Sequence, residues 1–203
     1  MLDTLQPWRE RHRRQRLNPN ESALLVLDMQ SFFLEESSHA FVPSGPAILP
    51  RVHRLIEVFE NRKRPVFYTR HLNTPSDAGL MSVWWQDLIK EESTSSQIVP
   101  QLDCSGRVVI KKGQYDAFFD TDLERSLRYG GITQVVISGL MTHLCCETTA
   151  RSAFTRGFEV FFAIDGTATY NENFHRATLL NLSHGFAVAV LVDEIEGMIT
   201  EEK

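Results

Sequence analysis

The chain has 203 residues, of which 42% are hydrophobic and 23% charged, and its formal charge is −5. That length supports one domain whose core needs no staples; the acidic balance argues against a nucleic-acid partner, and no apolar run reaches the roughly 20 residues a membrane-spanning helix requires. Three cysteines, two of them neighbours, make no disulfide framework, so the chain reads as cytoplasmic and reduced.

Residues 1–20 read as an N-terminal arm. Its basic cluster, Arg9, Arg11, Arg13, Arg14 and Arg16, is interrupted by Glu10 and followed by no apolar stretch, which is not the pattern of a secretory signal. A solvated arm or helix packing on a neighbouring subunit fits it better. From Ala23 onward, short apolar runs alternate with longer amphipathic ones. Strands are expected at Ala23–Leu27, Pro65–Thr69, Arg107–Ile110, Gln134–Ser138, Glu159–Ala163 and Ala187–Leu191. Helices are expected at Ala47–Arg62, Val83–Glu91, Asp122–Tyr129, His143–Arg156 and His175–His184, and Glu35–Pro46 and Glu91–Ser96 read as surface loops. Strands that are apolar at nearly every position belong to a parallel sheet covered on both faces. The alternation then implies right-handed crossovers and a three-layer α/β/α sandwich, one domain over residues 1–203.

Ligands of such sheets bind beyond the carboxyl ends of the strands. That rule selects Asp28, Arg70, His71, Lys111, Lys112, the pair Cys145-Cys146, and Asp165. The cysteines stand where a buried strand turns into a helix, and the positive helix end there favours thiolate over thiol. Successive helical residues point about 100 degrees apart, so one thiol of the pair faces a pocket while the other packs on the sheet. Nothing in the local pattern decides which. A carboxylate, an ammonium and a thiol on one edge form an apparatus for attack on a carbonyl carbon: Lys112 lowers the thiol pKa and Asp28 takes the thiol proton. Buried free cysteine is more often an inert hydrophobe, and that is the reading for Cys104.

Three segments carry a resemblance: Leu27-Asp28-Met29-Gln30 with Phe33; Val109-Ile110-Lys111-Lys112 leading to Tyr115-Asp116-Ala117-Phe118; and Ser138-Gly139-Leu140-Met141-Thr142-His143-Leu144-Cys145-Cys146-Glu147-Thr148-Thr149-Ala150. Together they resemble the signatures of the isochorismatase-like cysteine hydrolases, the superfamily of nicotinamidases, N-carbamoylsarcosine amidohydrolases and isochorismatases. The resemblance implies a six-stranded parallel sheet of order 3-2-1-4-5-6 and a catalytic triad of Asp28, Lys112 and Cys145. It also implies that Met141 and Cys145 supply the oxyanion N–H groups, that the Leu140–Met141 peptide is cis, and that the protein is a homo-oligomer, a dimer or tetramer. The run Phe186–Val192 and the N-terminal arm are candidate contacts for such an assembly.

The metal-binding Asp-x-His of the family's nicotinamidases is missing. The corresponding stretch reads Thr69-Arg70-His71-Leu72-Asn73, and the seven histidines show no ligand spacing elsewhere. Neither a metal nor any other cofactor is therefore expected. Asp116 stands before Ala117-Phe118 where serine is common in the family, a change that bears on the hydrogen bonding around Lys112. Phe33, His71, Trp84 and Trp85 are candidate walls for a small planar substrate, whereas Asp165, Thr167 and His175 read as ties within the loop after the fifth strand. The activity expected is hydrolysis of a C–N bond in a small amide or ureido compound, through a thioester; the alternatives are vinyl-ether cleavage and a catalytically silent binding member of the fold.

Overall fold

The run Ser22–Leu27 is buried at every position and forms the interior strand β1. In the computed structural model, which describes residues 1–12, 14–85 and 87–200, β1 lies between α1 (Leu2–Arg11) and α2 (Ser31–Leu34) in chain order. There follow α3 (Gly45–Asn61), β2 (Val66–His71), α4 (Met81–Trp84), β3 (Val108–Lys112), α5 (Leu123–Tyr129) and β4 (Gln134–Leu140). A π-helical turn (Thr142–Cys146) leads into α6 (Glu147–Thr155), then β5 (Glu159–Ala168), α7 (Glu172–Gly185), β6 (Val188–Val190) and α8 (Val192–Thr200). Every strand pairing is parallel, in one six-stranded sheet of order 3-2-1-4-5-6.

Two cores explain why the strands are apolar without alternation. Leu24, Val26, Val136, Phe161 and Ala163 face one core with residues of α3 and α8, while Ala23, Leu25, Val135, Ile137, Val160 and Phe162 face the other with α5, α6 and α7. Each strand thus feeds both layers with alternate residues.

The N-terminal arm contains the helix α1, which makes contacts on its own chain: Leu5 is fully buried, Trp8 meets His184 edge-on, and Arg9 pairs with Glu194. Of its basic cluster, Arg13 lies outside the described residues. Phe186–Val192 forms the edge strand β6 and the buried start of α8. The helix expected over Val83–Glu91 is only the single turn α4, because the chain beyond it runs against the segment after β2, where Asn73 N–H bonds to Ile89 O at 2.9 Å. No helix among the described residues is long and apolar enough to cross a membrane.

Candidate active site

Asp28 follows the last residue of β1 and is completely buried. Its φ of +48° places it in the left-handed region, which aspartate tolerates better than most residues. The turn is clamped by Thr69, whose hydroxyl accepts from the Asp28 N–H at 3.1 Å and donates to Oδ1 at 2.6 Å. On the other flank Gly139 backs directly onto Leu27. With φ +111°, and with Leu27 backbone where a Cβ would sit, only glycine fits there.

Lys112 is the last residue of β3, opposite His71 of β2 in the sheet register. It is part of the strand and needs no loop to fold back, since its stem alone reaches past β2. The side chains of Lys112 and Asp28 are both fully buried, with Nζ 2.7 Å from Oδ2. Nζ also donates to Gln114 O at 2.9 Å and lies 3.3 Å from Cys145 Sγ and 3.4 Å from His71 Nδ1. Its three protons match the three directed contacts, to Gln114 O, Sγ and Nδ1, while Oδ2 is held as an ion pair. Apart from the ion pair, Oδ2 has no directed hydrogen bond among the described residues, and a lone pair remains for the thiol proton.

The protonation states follow from these surroundings. Burial would raise the Asp28 carboxyl, but the charge of Lys112, then His71 and hydrogen bonds from Cys145 and Lys112, hold it below its ordinary value. Burial would lower Lys112, but Asp28 and Cys145 raise it. Burial first, then the Asp28 charge, pushes the Cys145 thiol up to about 12 against the pull of Lys112. The thiolate expected from the helix end is therefore not the resting form; the proton stays on sulfur beside a carboxylate able to take it.

His71 is held neutral. Burial and then the Lys112 charge bring its pKa down to about 4. Asn73 fixes its tautomer: Nδ2 donates to Gly113 O at 2.9 Å, so Oδ1 faces His71 Nε2 at 2.8 Å and accepts its proton. Nδ1 then turns a lone pair toward Lys112. Asp28, His71 and Cys145 place ligand atoms within 4.8 Å of one another, as a metal site would. The Lys112 ammonium touches all three, so this cluster already holds a cation and does not fit a metal ion.

The cysteine turn is π-helical, wider than the α-helix expected from His143, and π segments recur at functional sites. Cys146 is buried in the core between the sheet and α6, while Cys145 lines the cavity. Two histidines pin the turn from outside: Thr142 Oγ1 meets His175 Nδ1 at 2.9 Å, and His143 Nδ1 meets Thr169 Oγ1 at 2.6 Å. His143 also stacks on Phe174 with ring centroids 4.4 Å apart. The Leu140–Met141 peptide is cis, as the resemblance implies. Asp116 does not disturb Lys112, because its carboxylate accepts from Phe118 N–H at 2.8 Å and Ser152 Oγ at 2.6 Å.

Above the sulfur is a cavity of about 250 Å³. Of the expected wall residues, Phe33, His71 and Trp85 line it, together with Met141 and Cys145. Trp84 does not: it is 76% exposed at the end of α4, while Trp85 follows in extended backbone that turns it toward the cavity. Missed were Phe32, Asn73, Tyr115 and Tyr170, all lining residues. For Asn73 the available signal was its place two residues after His71, at the end of β2. β5 runs on to Ala168, past the expected end at Ala163, so Asp165 and Thr167 lie in the strand rather than in a loop after it; Asp165 there accepts from Val192 N–H and pairs with Arg51.

A buried cysteine with a carboxylate and an ammonium at its sulfur, at the carboxyl edge of a parallel sheet, is the arrangement of a cysteine hydrolase. The family model for the Isochorismatase domain matches residues 22–194, and the chain belongs to that family of hydrolases. It is 42% identical over 185 residues to Nicotinamidase 3 of Arabidopsis thaliana, covering 88% of each chain. Among solved structures, a cysteine hydrolase from Pseudomonas syringae pv. phaseolicola superposes with a TM-score of 0.88 at 25% identity, over 92% of this chain and 95% of that one. The N-carbamoylsarcosine amidase of Thermoplasma acidophilum gives 0.77 at 26% identity, over 87% and 99%.

Proposed function

We propose that this hydrolase cleaves the C–N bond of a small, uncharged carboxamide through a thioester on Cys145. The carrying observation is the cavity: Cys145 lines it, it is mostly apolar, and among the described residues no arginine or lysine lines it. A neutral planar amide suits such walls. A dianion such as isochorismate would find no cation to pair with, which disfavours vinyl-ether cleavage. The likeness to a nicotinamidase and to an N-carbamoylsarcosine amidase supports the same bond type.

In the reaction the Cys145 S–H proton passes to Asp28 as sulfur attacks the amide carbon, and Lys112 pairs with sulfur while negative charge builds on it. The tetrahedral oxyanion takes hydrogen bonds from the Met141 and Cys145 backbone N–H groups. Asp28 returns its proton to the leaving nitrogen, ammonia departs, and a thioester remains. Water, deprotonated by Asp28, attacks that thioester and releases the acid; the proton goes back to sulfur.

The test is ammonia release from a panel of nicotinamide, benzamide and a ureido acid, with isochorismate cleavage assayed alongside, for wild type and Cys145→Ala. Amide turnover that falls by at least about 10³-fold in the variant is the expected result. Undiminished turnover by the variant, or activity confined to isochorismate, refutes the reading.

A further inference from the structure

The polar side chains on the cavity floor are already committed to one another. His71 spends Nε2 on Asn73 and Nδ1 on Lys112, and Asn73 spends Nδ2 on Gly113 O. Higher up, His39 faces Asp87 at 3.6 Å and packs edge-on against Phe32. Tyr115 differs. Trp85 Nε1–H donates to its oxygen at 2.7 Å, and an indole nitrogen can only donate. The phenol is therefore the acceptor in that bond, and its own O–H proton has no acceptor among the described residues.

Both partners line the cavity. Tyr115 lies three residues after Lys112, its ring centroid is 6.5 Å from that of His71, and it lines the same cavity of about 250 Å³ as Cys145. Accepting from Trp85 orients the phenol and strengthens it as a donor. Tyr170, the other phenol of the lining, has no partner among the described residues that fixes its hydroxyl in this way.

We infer that Tyr115, oriented by Trp85, is a specificity determinant that donates a hydrogen bond to an acceptor atom on the acyl part of the substrate, remote from the scissile amide. This rests on the carboxamide reading and narrows it: the preferred substrate is a small flat carboxamide carrying a ring nitrogen or comparable acceptor, ahead of its purely hydrocarbon analogue. A site built to hydrogen-bond such a group discriminates against the analogue that leaves the donor unpaired.

Binding isolates this from chemistry. In full-length Cys145→Ala protein, with and without Tyr115→Phe, benzamide and the three pyridinecarboxamide isomers are titrated to equilibrium. For at least one isomer, Tyr115→Phe weakens binding about five- to tenfold more than it weakens benzamide binding. Benzamide binding also reports that the double variant is folded. Equal losses for all four compounds, or no binding by any of them, overturn the inference. Wild-type ammonia release from the same compounds is read separately: selective binding without turnover leaves the Tyr115 assignment standing and sinks the hydrolase reading, whereas turnover with equal binding losses does the reverse.

Discussion

Lys112 Nζ stands 2.7 Å from Asp28 Oδ2, with both side chains fully withdrawn from solvent. Removing one partner of such a pair leaves an uncompensated buried charge, at a cost of about 3 to 5 kcal/mol. Lys112→Met and Asp28→Asn are each expected to lose stability on that scale in urea unfolding. The double variant, with no charge to bury, recovers most of it while remaining inactive.

The same pair sets a pH window. Asp28 is held below its ordinary 3.8, so its contribution is present above that value and is lost as pH falls through the folded pKa. Lys112 is raised above 10.5, so its contribution is present below that value and is lost as pH rises through the folded pKa. His71, lowered from 6.5 to about 4, withdraws stability as pH falls below 6.5, and the Cys145 thiol, raised from 9.0 to about 12, withdraws it as pH rises above 9. Unfolding free energy should therefore plateau between those two values, with the ion pair's own losses adding below 3.8 and above 10.5. The charge-free double variant removes the pair's share of each decline; slopes as steep as wild type in it would contradict this.

Asp28 is also one cause of the raised Cys145 thiol, second to burial. Asp28→Asn removes that charge and leaves Lys112 free to pair with sulfur, so the thiol pKa falls. The variant should react with iodoacetamide faster than wild type at pH 7 while hydrolysing no amide. Wild type should alkylate slowly at neutral pH, with a rate still climbing past pH 10. Peptide mass spectrometry of the Cys145 peptide measures both.

His71 is predicted to be neutral, with its proton on Nε2, from pH 5 to pH 9, and to titrate near 4. Nitrogen NMR of the imidazole reads this directly. Asn73→Leu frees the tautomer and should lower kcat about fivefold, the worth of one hydrogen bond, with less change in KM.

Gly139→Ala should destabilise the protein by about 3 kcal/mol or prevent folding, because it adds a Cβ against Leu27 backbone at a φ of +111°. Thermal melts check this.

The strands were legible because β1, β4 and β5 are apolar on both faces, while the order of the sheet came from the resemblance; the residues at the carboxyl ends of β1, β3 and β4 named Asp28, Lys112 and the cysteine pair. What escaped reading depends on packing. Helix α8 was hidden because its buried residues Val192, Ile195 and Ile199 follow directly on the apolar run of β6. The π-helical turn has the same composition as an α-helical one. The thiol's protonation was misjudged because burial and the Asp28 charge, which outweigh the helix end, come from three strands that meet only in the fold. Trp84 and Trp85 are neighbours in sequence, and only the change from helix to extended backbone between them puts one on the cavity wall and not the other.

The central claim is that Cys145 carries the acyl group during turnover. Rapid acid quench of wild-type protein under saturating carboxamide, followed by mass spectrometry of the Cys145 peptide, tests it most directly. The account predicts the acyl mass on Cys145, removable by hydroxylamine and absent from Cys146 and Cys104; steady turnover with no adduct on Cys145, and continued turnover by Cys145→Ala, would contradict it.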